Sequence, residues 1–226
     1  MKMLIGIPAF NEQKIIEFVL RLLPKKIDGV KKIDVLVVDD GSSDKTAELA
    51  KKHATCVLCH IINRGLGGAL KTIFAYARQK EYDILVTLDA DGQHNPKDIS
   101  GLIKPILQKK ANVVIGTRWV KKNAGPKSRL FINKIANIIT YLLYGIMSTD
   151  SQSGFRAFDK KAIMKIELKN DGMEVSSEIF KEIYKNKLLY EEFPINAVYT
   201  EYSLSKGQSL NNAPNIIMKL LLRLLS

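Results

Sequence analysis

Two cysteines in 226 residues are too few for a disulfide framework, and with only His60 beside them they do not make a convincing metal set. Cys56 and Cys59 fall in a strand-like run, whereas a redox pair usually opens a helix, so they read as reduced, structural thiols. No apolar stretch reaches the ~20 residues needed to span a bilayer. Met1-Lys2-Met3 leads into a short strand-like run, Leu4 to Ala9, and not into a signal peptide. These absences predict a protein of the cytoplasm, or one lying peripherally on the cytoplasmic face of a membrane. A helix-turn-helix, an RNP aromatic signature and a zinc module are also missing, which argues against a dedicated nucleic-acid reader. Acids are outnumbered: 35 Lys and Arg against 23 Asp and Glu leave a formal charge of +12, which implies an anionic partner.

What is present is an alternation of strand-like and helix-like segments, the signature of βαβ units and a mostly parallel sheet. Strands are predicted at Leu4 to Ala9, Ile33 to Val38, Cys56 to Ile61, Ile84 to Leu88 and Val113 to Gly116. Asn11 is placed to cap a first helix that Pro24 stops, and Asn95-Pro96 to open a later one. A further strand is expected in Ser153 to Phe158, and Glu191 to Tyr199 is expected to return to the sheet as an antiparallel edge. The glycine loop at Gly65 to Gly68 matches no known phosphate cradle. A dinucleotide fingerprint needs a third glycine where Leu70 stands, and a P-loop needs Gly-Lys-Ser/Thr. Close packing at a tight turn is the better role for these glycines.

The chemistry concentrates at Thr87-Leu88-Asp89-Ala90-Asp91-Gly92-Gln93. Two carboxylates one residue apart at a strand's C-terminal end, where open α/β sheets bind ligands, can converge on one hard cation that would hold a diphosphate. The alternative is that Asp89 and Asp91 merely cap the helix near Pro96. On these residues alone both readings stay open. Arg118 leaves a strand at the same sheet edge, and Lys121 to Arg129 is a loop with several cations, able either to close over an anion or to serve as ordinary surface.

Taken in order, Ile7 to Glu12, Val38 to Thr46, Asn63 to Ala69, Leu88 to Gln93 and Ser153 to Phe158 resemble the motifs of inverting family 2 glycosyltransferases. Within that family the similarity is to the dolichyl- and polyprenyl-phosphate sugar transferases typified by dolichol-phosphate mannose synthase. The resemblance implies an A-type glycosyltransferase fold: a Rossmann-like α/β domain with a mostly parallel central sheet and no transmembrane helix. It implies that Pro8, Phe10, Glu12, Val37 and Asp39 line the nucleoside pocket, and that Ala90 contributes backbone beside the nucleotide. Asp89, Asp91 and Gln93 would take Mg²⁺ or Mn²⁺. Arg118 and Arg129 would meet phosphates of donor or acceptor, and Lys206 would stand where many relatives have arginine. Phe10 replaces a common tyrosine, and Asn133 stands where relatives often have serine.

The expected reaction is metal-dependent, inverting transfer of a hexose from a nucleotide-diphosphate sugar, GDP-mannose or a UDP-sugar, to a polyprenyl or dolichyl phosphate. A lipid phosphate is already ionised and needs no strong general base. Transfer to a glycan or small-molecule hydroxyl needs one, with Asp150 and Glu178 as candidates. A non-catalytic basic binding protein is the third reading, and the intact acids at Asp89 and Asp91 argue against it. Residues 1–210 read as the catalytic domain and 211–226 as a C-terminal apolar helix. That helix would dock on the membrane interface through Lys219 and Arg223 on one face, or pack against protein. A separate membrane-anchor protein or a homo-oligomer is left open.

Overall fold

The structure is a computed structural model describing residues 1–118 and 127–198, apart from the side chains of 127–132 and 143. Seven strands form one sheet: β1 (Lys2–Ala9), β2 (Lys32–Asp39), β3 (Cys56–Cys59), β4 (Ile84–Thr87), β5 (Val113–Thr117), β6 (Arg156–Asp159) and β7 (Tyr190–Pro194). Their order is β3-β2-β1-β4-β6-β5-β7. Only β6 runs antiparallel, paired with β4 on one side and β5 on the other.

Period-2 alternation explains the layering, because successive side chains of a strand point to opposite faces. Met3, Ile5 and Ile7 of β1 join Ile84 and Val86 of β4 on one face. They are covered by α1 (Ile16–Arg21), α2 (Thr46–Ala50) and α4 (Ile99–Leu107). Leu4, Leu36, Val38 and Leu85 point the other way, under α3 (Leu66–Gln79), α6 (Lys160–Lys165) and α7 (Val175–Lys185). The remaining helix, α5 (Lys127–Tyr144), packs beside α7. Every side chain of β4 is buried, as a central strand covered on both faces requires.

Three local expectations are corrected. Asn11 does not cap α1, whose N-cap is Ile15 without a side-chain bond. It adopts a left-handed conformation instead, and its Oδ1 accepts the Ser43 N–H, tying the β1–α1 loop to the β2–α2 loop. The last strand does form an edge, but β7 is parallel to β5, not antiparallel. The antiparallel member is β6, inserted between β4 and β5, so that the chain returns toward the bottom of the sheet before α6. Finally, Asp89 and Asp91 do not cap the helix near Pro96. That role belongs to Asn95, whose side chain accepts the Lys97 N–H at the head of a 3-10 turn that leads into α4.

Candidate active site

The carboxyl ends of β2, β1 and β4 lie side by side, with Ala9 opposite Asp39 and Gly6 opposite Thr87. Pro8, Phe10, Glu12, Asp39, Asp89 and Asp91 are therefore brought to one edge of the sheet. Phe10 stays 44% exposed there, an aromatic face open to solvent. Asp39 is buried and accepts the Ser42 hydroxyl, whose oxygen in turn accepts the Asn11 N–H. Glu12 is also buried at this edge, with its own N–H bonded to Thr46. Val37 lies wholly within the core, with no side-chain surface left to line a pocket.

Asp40, next to Asp39, has a structural task. Its carboxylate accepts the Arg64 and Gly65 N–H groups and pairs with His60 Nδ1 at 2.6 Å, which fixes the β3–α3 loop. The glycines of that loop admit a neighbouring chain segment. A Cβ on Gly67 would lie 2.1 Å from the Asn170 carbonyl oxygen. The Gly67 and Gly68 N–H groups both donate to the Asp171 carbonyl, so a protein carbonyl occupies the N-terminus of α3 where a phosphate cradle would need open donors.

Asp89 and Asp91 sit in a different setting. Gly92 turns the chain at φ 76°, and Asp91 Oδ1 accepts the Gln93 N–H at 2.9 Å. Asp89 lies in a crevice: 38% of its side chain faces solvent, and protein closes the other sides. Burial raises the pKa of both acids, and for Asp91 the neighbouring Asp89 charge adds to the rise. Neither acid forms a salt bridge to lysine or arginine among the described residues. His94 is buried beside them, stacked on Phe155 with ring centroids 5.1 Å apart. Burial lowers its pKa to about 4, so it is neutral near pH 7. Its Nδ1 accepts the Asp89 N–H, which places the remaining ring proton on Nε2.

Two acids offered by the sequence as general bases are already engaged. Asp150 is fully buried and grips Arg118 in a fork, through Nε at 2.7 Å and Nη2 at 2.8 Å, while also accepting the Arg118 N–H. Glu178 accepts the N–H groups of Lys169 and Asn170, which makes it a loop anchor. Arg118 is thus held at the sheet edge. Arg129 lies on helical backbone in α5, with its side chain outside the described residues. Lys206, residues 119–126 of the cationic loop and the segment 211–226 also lie outside them.

Sequence reasoning passed over His94, Gly154 and Arg156 as site residues. A Cβ on Gly154 would meet the two Asp89 carboxylate oxygens at 2.3 and 2.6 Å. Arg156 is 2% exposed, and its guanidinium donates to the carbonyls of Ser151, Ser153 and Ser176. Desolvation lowers its pKa to about 10, leaving it charged at neutral pH. A buried arginine without a carboxylate partner is rare enough to mark a site, but its burial is invisible in the motif Ser153 to Phe158.

The donor set fits a divalent cation held jointly with a diphosphate. Two like-charged, partly desolvated carboxylates adjoin at a strand end, and neither forms a salt bridge to lysine or arginine among the described residues. No group of three or more His, Cys, Asp or Glu side chains among the described residues could cage an ion by itself. A Mg²⁺-type ion bound by one or two carboxylates plus phosphate oxygens needs no more.

Comparison with known proteins agrees with this geometry. The glycosyl transferase family 2 model matches residues 4–167. A UDP-N-acetylglucosamine–dolichyl-phosphate N-acetylglucosaminyltransferase of Methanococcus voltae is 35% identical, across 96% of this chain and 93% of that protein. An undecaprenyl-phosphate mannosyltransferase of Micrococcus luteus is 33% identical, across 91% and 87%. Among solved structures, glucosyl-3-phosphoglycerate synthase of Mycobacterium tuberculosis, in complex with Mn²⁺, UDP and phosphoglyceric acid, superimposes with a TM-score of 0.75. It is 17% identical, over 99% of this chain and 77% of that one, and supports the A-type glycosyltransferase fold. With acids at the end of β4, loops locked together beyond β1 and β2, and a family match over most of its length, the chain belongs to glycosyl transferase family 2.

Proposed function

We propose that this glycosyltransferase moves a hexose, with inversion, from a nucleotide-diphosphate sugar to a polyprenyl or dolichyl phosphate. The observation that carries the choice of acceptor is the engagement of Asp150 and Glu178. A hydroxyl acceptor must lose a proton to a positioned base, and both candidate acids are held by an arginine fork or by backbone amides. A phosphate acceptor arrives ionised and attacks without one. The names of the relatives support the same acceptor class.

In this reading Phe10 stacks against the base, Asp39 and Glu12 meet the nucleoside with Pro8 beside them, and the Ala90 backbone lies against the nucleotide. Val37 supports the pocket from the core. Asp89 and Asp91, with Gln93, hold Mg²⁺ or Mn²⁺. When bound, the cation withdraws charge from the leaving diphosphate. A phosphate oxygen of the acceptor forms a bond to the sugar's anomeric carbon from the face opposite the diphosphate. The bond from that carbon to the diphosphate breaks, and its electron pair leaves with the nucleoside diphosphate. Arg118 and Arg129 bind the phosphates through paired hydrogen bonds, with Lys206 as a third cation. The protein acts peripherally at a membrane, because the acceptor's tail stays in the bilayer. Among the described residues no helix is long and apolar enough to cross one.

The test is incubation with Mn²⁺ or Mg²⁺, a panel of UDP- and GDP-sugars, and either a short polyprenyl phosphate or the matching polyprenol, with products identified by mass. A glycosylated lipid phosphate is expected, and no product from the polyprenol. Transfer to the alcohol or to a glycan hydroxyl, and none to the phosphate, would overturn the choice of acceptor.

A further inference from the structure

The segment between Ser151 and Arg156 runs beside the Asp89 carboxylate. Gly154 lies directly against that carboxylate, and the Thr87 hydroxyl at the end of β4 donates to the Gly154 carbonyl at 2.9 Å. The segment is pinned from behind by Arg156, which bonds Ser153 O at 2.7 Å, Ser151 O at 2.9 Å and, across to α7, Ser176 O at 3.4 Å. A narrow cavity of about 10 Å³ is lined by both Arg156 and Asp89, with Pro8, Thr87, Gly154 and Ser176 also on its walls. It has room for on the order of one water.

We propose that Gly154 and Arg156 are positioning residues for the metal-facing carboxylate of Asp89. Arg156 holds the segment down, and Gly154, lacking a side chain, sets how far the carboxylate can swing toward it. This assignment rests on the metal reading given above. The geometry makes it specific. Gly154 is not among the glycines with positive φ, and the three atoms nearest to an added Cβ all belong to the Asp89 carboxyl group. Alanine is therefore compatible with the backbone there, and its closest approach is to Asp89. Arg156 reaches carbonyls of two separate chain segments with a planar fork, which the single ammonium of lysine cannot reproduce.

The test uses the full chain with Mn²⁺ as the probe, titrated in the presence of UDP and, separately, GDP. Free Mn²⁺ is read by electron paramagnetic resonance and folding by thermal melting. Gly154→Ala and Arg156→Lys are each expected to weaken Mn²⁺ binding by about 10–100-fold, as loss of an outer-shell partner does. Gly154→Ala is expected to do so while melting cooperatively. Its stability cost should vanish in an Asp89→Ala background, because the atoms it strikes are gone. A purely structural anchor would shift melting and leave metal affinity unchanged. Folded Gly154→Ala protein that binds Mn²⁺ as tightly as the wild type would overturn this assignment alone. Wild-type protein that binds no Mn²⁺ with either nucleotide would remove the metal reading and this assignment with it.

Discussion

Replacing Asp91 by asparagine separates what its charge does for function from what it costs in folding. Its folded pKa lies above the usual ~3.9 of an aspartate, chiefly because of burial and then because of Asp89. The folded state therefore binds a proton more readily than the unfolded chain. Ionisation costs stability at every pH above the folded value, and that cost is gone below ~3.9. Asp91→Asn is thus expected to raise the melting temperature at pH 7 and to leave it nearly unchanged at a pH about one unit below ~3.9, since asparagine Oδ1 can still accept the Gln93 N–H. The same variant should lose metal-dependent turnover. Calorimetry at the two pH values checks the first claim, and a lower melting temperature at pH 7 would show that the site is not charge-strained. Asp150 should behave oppositely. It is fully buried in a fork with Arg118, so Asp150→Ala takes the buried carboxylate of the fork away from a largely buried cation and should cost about 3 kcal/mol in urea unfolding. Arg118→Lys and Arg129→Ala should lower transfer to a lipid phosphate more than they lower stability, as kinetics paired with melting curves would show.

Elements position these residues through contacts between segments distant in sequence. The N-terminus of α3 is closed by the 170–171 segment, and Glu178 of α7 holds the same segment from the other side. Gly67→Ala would push a methyl against the Asn170 carbonyl, a backbone atom that cannot rotate away, at 2.1 Å. The expected loss is about 1–3 kcal/mol, the usual cost of overpacking. Nucleoside diphosphate binding should persist in the folded fraction, because the contact lies outside the locked loops beyond β1 and β2. Chemical unfolding with parallel calorimetric titration tests both parts. The insertion of β6 between β4 and β5 has a comparable consequence. It carries Gly154 and Arg156 to the open end of β4 before the chain runs back antiparallel, so the strand's entry faces the acids.

At the scale of the molecule, an excess of twelve positive charges and a proposed acceptor whose tail stays in lipid point the same way. Cationic segments gain about 1 kcal/mol per lysine or arginine near an anionic bilayer, and that gain is screened by salt. Binding to vesicles containing acidic lipid is therefore expected to weaken as salt is raised. The segment Asn215 to Leu225, outside the described residues, is proposed as the apolar part of this contact. A chain ending at Ala213 should lose vesicle binding and keep Mn²⁺-dependent nucleotide-sugar binding, as co-sedimentation and calorimetry would show. Undiminished vesicle binding by the shortened chain would assign the contact elsewhere.

The sequence by itself determined the parallel α/β layering, because buried strands and amphipathic helices announce themselves through local periodicity. It also determined the position of the acids, since Asp89 and Asp91 follow an apolar strand whose C-terminal end is where such sheets bind ligands. Reading Gly65 to Gly68 as a packing turn needed only the residues a phosphate cradle would require and this chain lacks. Tertiary structure decided whatever depends on a partner far along the chain. Arg118 and Asp150 look like two independent candidates until 32 residues of separation close into one fork. Asn11 looks like a helix cap until Ser43 takes its side chain. The direction of β7 was expected the wrong way because a five-residue strand carries no mark of which way its neighbour runs. Gly154 and Arg156 became site residues only through what they touch: an absent side chain has meaning only against the carboxylate it would strike, and a buried cation only against the carbonyls that hold it.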